Sequence, residues 1–137
     1  MTPRNMLFVA AAGLIGMIGT AQQSFAAGDP AAGETLFKHK CGVCHKIGPG
    51  ATNFVGPNLN GINGRAIASE EGYDYSDADK AKKATGWTWT EANFKTYITN
   101  PQATIPGTKM IFPGLSKESD RDDIWAYISQ FKADGSK

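Results

Sequence analysis

The order of apolar and polar positions divides the chain into unequal parts. Met6 to Ala21 is apolar and free of charge, whereas charged side chains interrupt everything after Asp29. In that later part, Asp29-Pro30 supplies an N-cap followed by proline at the first helical position, which predicts a helix from Ala31 to about Lys40. Ile47 to Glu71 is rich in Gly, Asn and Pro and keeps neither a helical nor a strand period, so a long structured loop is expected. Ser76 can cap a short helix through about Lys83, and Thr88-Trp89-Thr90-Glu91 has the spacing of a capping box that would start another. That helix should stop before Asn100-Pro101, because the residue ahead of a proline disfavours helical torsions. Gln102 to Leu115, with Pro106-Gly107 and Pro113-Gly114, reads as loop. In a last helix, from about Ser119 to Phe131, Ile124, Tyr127, Ile128 and Phe131 recur at i, i+3, i+4 and i+7, one apolar face for the core. β-Branched runs are scarce, so the expected fold class is all-α, with three main helices and shorter ones joined by loops.

The apolar start changes how much of the chain takes part in that fold. Arg4, the apolar run and the small-x-small site Ser24-Phe25-Ala26 together read as a signal peptide over residues 1–26, leaving one domain over 27–137. The run is shorter than the ~20 residues a membrane span needs, so stable membrane insertion is not expected. Without Arg4, the 14 basic side chains fall to parity with the 13 acidic ones, which gives no support for a nucleic-acid partner.

Export implies an oxidising compartment, where cysteines ordinarily pair. Here Cys41-Gly42-Val43-Cys44-His45 forms C-x-x-C-H, the pattern of covalent haem attachment. Two thiols at this spacing can reach the two vinyl groups on one haem edge while the adjacent imidazole meets the iron. A thiol-disulfide redox motif would need a βαβ context that the flanking residues lack. A closed zinc site would have to crowd four ligands, including His39, into seven residues. Met110 is the single methionine after residue 26, and it follows the Pro106-Gly107 turn on a loop from which it can be aimed. A lone methionine often fills a core gap, but His/Met ligation is the arrangement that raises haem reduction potentials. Met110 is therefore the expected sixth ligand opposite His45. His39 shares a short segment with His45 and would have to wrap around the ring to compete. A haem would also give the loop over 47–71 something to pack against.

Taken together, these residues resemble class I c-type cytochromes, the cytochrome c family, and within it the bacterial c2 branch. The carrying motifs are Gly33 to Phe37, Cys41-x-x-Cys44-His45, Gly56-Pro57-Asn58-Leu59-Asn60-Gly61, Gly64-Arg65, Tyr75, Trp89-Thr90-Glu91, Tyr97, Ile105 to Phe112, and Ile124 to Tyr127. The resemblance runs from about Gly28 to Lys132. It implies the cytochrome c fold around one covalently bound haem c. It further implies that the Pro57 carbonyl accepts from His45, that Arg65, Tyr75 and Trp89 lie near the haem propionates, and that Tyr97 and Thr108 hydrogen-bond on the methionine side. Gly33 and Phe37 would meet Ile124 and Tyr127 where the first and last helices cross. Asp79 stands where many members carry an amide near the buried propionate, and a slightly longer segment from Lys80 to Trp87 makes Trp87 a weaker rival to Trp89.

With protein ligands on both faces of the iron no position is left open for substrate, so the expected role is a periplasmic, monomeric, one-electron carrier and not an enzyme. The resemblance implies a quinol-oxidising cytochrome bc complex as donor and a photosynthetic reaction centre or terminal oxidase as acceptor. Lys38, Lys40 and Lys46 bracket the attachment motif and Lys109 adjoins Met110, so these four lysines are the expected docking charges for an acidic partner surface. Asp74, Asp77 and Asp79, and Asp120, Asp122 and Asp123, form separate acidic groups.

Overall fold

A computed structural model describes residues 27–137, and the expected signal peptide over 1–26 lies outside the described residues. Five helices follow in order: α1 (Pro30–Lys40), α2 (Asp77–Ala84), α3 (Glu91–Thr99), α4 (Pro101–Thr104) and α5 (Glu118–Ile128). α1 starts as its sequence dictates. Asp29 accepts a hydrogen bond from the Ala31 amide, and Pro30 occupies the first turn, where its missing N–H costs nothing. α2 likewise starts from Ser76, which accepts from the Asp79 amide.

The expected capping box at Thr88 is corrected by the structure. The cap is Thr90, which accepts from the Asn93 amide, and α3 begins one residue later. Thr88 and Trp89 are instead held extended against the loop. Ala66 and Thr88 form an isolated antiparallel bridge, the Trp89 amide donates to the Arg65 carbonyl, and the Gly64 amide donates to that of Trp89. Those non-local bonds override the local cap signal. α3 ends at Thr99 as expected, but Asn100 then accepts from the Ala103 amide and starts α4, a single turn where the sequence suggested only loop. α5 begins at Glu118 and has no side-chain cap.

α1 and α5 cross closely, and Gly33 makes the approach possible: a Cβ there would stand 1.9 Å from the Asp123 carbonyl oxygen. Beside it the Phe37 and Tyr127 rings pack with centroids 5.6 Å apart. Trp125, one position outside the apolar stripe, is also buried and packs against Phe94 of α3. The buried side chains form two clusters. The larger joins α1, α3 and α5 through Phe37, Phe94, Ile98, Ile124 and Ile128. The smaller contains Ile67, Tyr97 and Ile105, and Trp89 and Met110 pack against both. Among the described residues no helix is long and apolar enough to cross a membrane.

Candidate functional site

Between the two clusters lies a largely apolar cavity of about 370 Å³, within the roughly 300–1,000 Å³ common for cofactor pockets. Its lining includes Cys41, Cys44, His45 and Met110, which come from distant parts of the sequence. His39 is exposed on α1 and does not line it.

The attachment segment is positioned by the end of α1. The Cys41 and Gly42 amides both donate to the Phe37 carbonyl, and the Cys44 and His45 amides both donate to that of Cys41, so the two cysteines and the histidine sit on one tight turn. The His45 imidazole donates through Nδ1 to the Pro57 carbonyl at 2.7 Å, which fixes its tautomer and leaves Nε2 as the electron-pair donor. Gly56 lies flat against that ring; a Cβ on it would come within 2.4 Å of His45 Cε1. Burial lowers the His45 pKa more than the Pro57 bond raises it, which favours the neutral, ligating form. Burial pushes the Cys41 thiol up to about 12, with the charge of Cys44 adding to the effect. A thiol so hard to ionise is a poor partner for disulfide exchange, which needs thiolate.

On another wall Arg65 is held by three oxygens. One guanidinium nitrogen donates to the Asn60 carbonyl at 2.9 Å and to Glu70 at 2.7 Å, and the other donates to the Asn58 carbonyl at 3.0 Å. Arg65 Nε is buried and has no hydrogen-bond partner. A buried donor without an acceptor is costly, and a haem propionate is an acceptor that would satisfy it. This orphaned donor, the apolar walls and the cysteine, imidazole and thioether donor set fit a haem. Tyr75 also lines the cavity; its hydroxyl accepts from the Glu70 amide at 3.3 Å, and burial raises its pKa. Trp89 lines the cavity and Trp87 does not, although the two indoles pack edge to face.

A further part of the lining is polar and buried. Tyr97 and Thr108 lie 3.1 Å apart hydroxyl to hydroxyl, and Thr108 bonds to Asp79. Asp79 is only 6% exposed and so stands apart from Asp74 and Asp77, the exposed members of its acidic group.

The four lysines differ in their surroundings. Lys40 is exposed at the cavity mouth, and Lys46 lies over the Phe54 ring. Lys38 pairs with Glu34 at 2.7 Å, and Lys109 pairs with Asp74 at 2.7 Å while also donating to its carbonyl. Sequence gave no hint of the second pair, whose members are far apart in the chain. Also unforeseen is the apolar rim around the mouth: Val43, Val55 and Ile111 line the cavity and are 65%, 61% and 95% exposed. The Glu70 and Asn58 grip on Arg65 was missed too, because it depends on how the loop closes.

A family model described as cytochrome c matches residues 30–132. The chain is 63% identical over 111 residues to cytochrome c2 of Rhodoblastus acidophilus, covering 81% of this chain and 100% of that one. It is 56% identical over 133 residues to cytochrome c-554 of Methylosinus trichosporium, covering 97% and 96%. Among solved structures, cytochrome c2 from Rhodospirillum centenum superposes with a TM-score of 0.73 at 37% identity, over 77% of this chain and 99% of that one.

Proposed function

From the premise that the chain belongs to the cytochrome c family, electron-transfer proteins with one covalently attached haem c, we propose that it is a periplasmic one-electron shuttle with His45 and Met110 as the axial ligands. When bound, the haem supplies an iron that gains and loses one electron. The observation that carries the reading is the convergence of Cys41, Cys44, His45 and Met110 on one cavity. Cys41 and Cys44 would form the thioethers. Pro57 orients His45 and raises its basicity through the 2.7 Å bond. Arg65, with Tyr75 and Trp89 beside it, would receive the propionates, and Tyr97 and Thr108 brace the Met110 loop, whose amide donates to Thr108.

Partners would approach the cavity mouth, where Val43, Val55 and Ile111 form an exposed apolar rim and Lys40 adds positive charge. Such a contact is small and charge-steered, suited to rapid exchange between two partners. By the likeness to cytochromes c2, the donor is a quinol-oxidising cytochrome bc complex and the acceptor a photosynthetic reaction centre or terminal oxidase.

The test is a reduced-minus-oxidised spectrum with a redox titration of the holoprotein, followed by exposure to carbon monoxide. Low-spin iron, a single one-electron wave and slow or absent carbon monoxide binding are expected. High-spin iron that binds carbon monoxide rapidly would instead indicate an open coordination site, and the shuttle reading would fall.

A further inference from the structure

Arg65 lines the cavity, and behind it stands a carboxylate, Glu70, that does not. We infer that Glu70 is a positioning residue that tunes the haem through Arg65: it offsets the guanidinium charge, so the propionates meet an ion pair instead of a lone cation, and the reduction potential is held down.

The layering carries the inference. Glu70 Oε2 accepts from Arg65 at 2.7 Å, and Oε1 accepts from the Asn58 side-chain amide, so both carboxylate oxygens are engaged on the side away from the cavity. The Arg65 and Glu70 side chains are only 15% and 19% exposed. Water and salt therefore screen the pair weakly, and a change of charge at either member is felt beyond it. A guanidinium has five N–H donors, of which three go to the Asn60 and Asn58 carbonyls and to Glu70. Of those three acceptors only Glu70 carries a charge. The carbonyls fix how Arg65 is turned, and Glu70 sets how positive it is.

Tyr75, on the same wall, registers the balance. Burial is the main cause of its raised pKa, and the bond from the Glu70 amide works against burial. Behind these, Arg65 lowers the pKa and the Glu70 charge raises it, so the two charges oppose each other at a phenol that lines the cavity.

Loss of the Glu70 charge alone would leave Arg65 as an uncompensated cation in a largely buried wall. A cation beside the haem disfavours the more positive, oxidised iron and so raises the potential. With Glu70 in place that pull is largely cancelled, while the remaining N–H donors stay available to a propionate.

This inference rests on Arg65 receiving the propionates, and the test separates the two. Reduction potentials are measured at one pH and ionic strength on the holoprotein of the wild type, Glu70→Gln, Arg65→Gln and the double variant, a cycle that isolates the coupling between the two positions. Glu70→Gln should raise the potential and Arg65→Gln should lower it. Glutamine at 70 still offers Arg65 an acceptor oxygen, so a residue that only braced the loop would leave the potential where it was. In the Arg65→Gln background the rise should shrink, because a largely buried carboxylate without its counter-ion is driven towards its neutral form. No rise in Glu70→Gln, or equal rises in both backgrounds, would overturn the inference alone. An Arg65→Gln variant at the wild-type potential would take Arg65 away from the propionates, and the inference with it. Glu70→Asp keeps the charge and should stay near the wild-type potential; a rise as large as that of glutamine would make side-chain length the cause and refute the role of charge. Should Glu70→Gln fail to fold, Glu70→Ser removes the same charge and leaves room for water at the guanidinium. The same rise is then expected, and an unmoved potential would equally sink the idea.

Discussion

Gly33→Ala is expected to loosen the crossing of α1 and α5. The added Cβ would stand 1.9 Å from the Asp123 carbonyl oxygen, 2.5 Å from its carbon and 2.9 Å from Tyr127 Cβ. The two shortest contacts are with backbone, so no side-chain rotation relieves them. Ordinary contact begins at 3.4 Å, and the helices would have to part by roughly 1.5 Å. Two effects oppose each other. Alanine inside a helix is favoured over glycine by about 1 kcal/mol, whereas overpacking a rigid site costs about 1–3 kcal/mol and sometimes more. A gap of even 0.5–1 Å forfeits about a quarter to a half of each dispersion contact, and Phe37 against Tyr127 is among those that would open. Against backbone that cannot rotate away the cost lies at the upper end, about 3 kcal/mol, so the clash wins with a net loss of about 2 kcal/mol, a sizeable part of the ~5–15 kcal/mol that holds a small domain together. Urea unfolding of the holoprotein followed by circular dichroism should show a lower midpoint with an unchanged slope. A variant as stable as the parent would refute the claim that this glycine is there for close approach.

Intact mass after acid-acetone extraction should exceed the bare chain by one haem, and Cys41→Ser combined with Cys44→Ser should abolish the excess. Met110→Ala should lower the reduction potential and admit exogenous ligands to the iron; an unchanged spectrum would assign the sixth position to another group. Lys40→Glu should slow bimolecular electron transfer to an acidic partner and flatten its dependence on ionic strength, whereas Asp74→Asn, by freeing Lys109 from its 2.7 Å pair, should accelerate it; stopped-flow rates at several salt concentrations check both. Because burial raises Tyr97 from 10.0 to about 12, the unfolded chain gives up this proton first. The contribution of Tyr97 to stability is therefore complete below pH 10 and lost between about 10 and 12, and Tyr97→Phe should flatten that alkaline decline in an unfolding series.

The parts legible in the sequence were those set by neighbouring residues. Asp29-Pro30 and Ser76 start their helices because a cap needs only its own side chain and an amide two or three residues on. The attachment motif stands out by its covalent spacing and Met110 by being a solitary methionine, and the fold brings both to one cavity. What failed was local evidence overruled at a distance. Thr88 looked like a cap, but pairing with Ala66 drew it into an extended segment and passed the cap to Thr90. Asn100 read as a stop and turned out to be a start as well. The Glu70 and Asn58 grip on Arg65, the Asp74 pairing of Lys109 and the burial of Asp79 all depend on loop closure, which no period or motif encodes.

The α1–α5 crossing also dictates an order of events as the chain folds. α1 ends next to the attachment cysteines, while its partner α5 begins at Glu118, so the core closes only by bridging roughly 80 residues. Joining elements so distant in sequence is slow compared with forming either helix alone. A growing chain that has completed α1 and residues 41–45 but not yet α5 leaves Phe37 uncovered and both cysteines accessible. Covalent loading has room to precede compaction, in which case the last helix would close over a chain already carrying its cofactor.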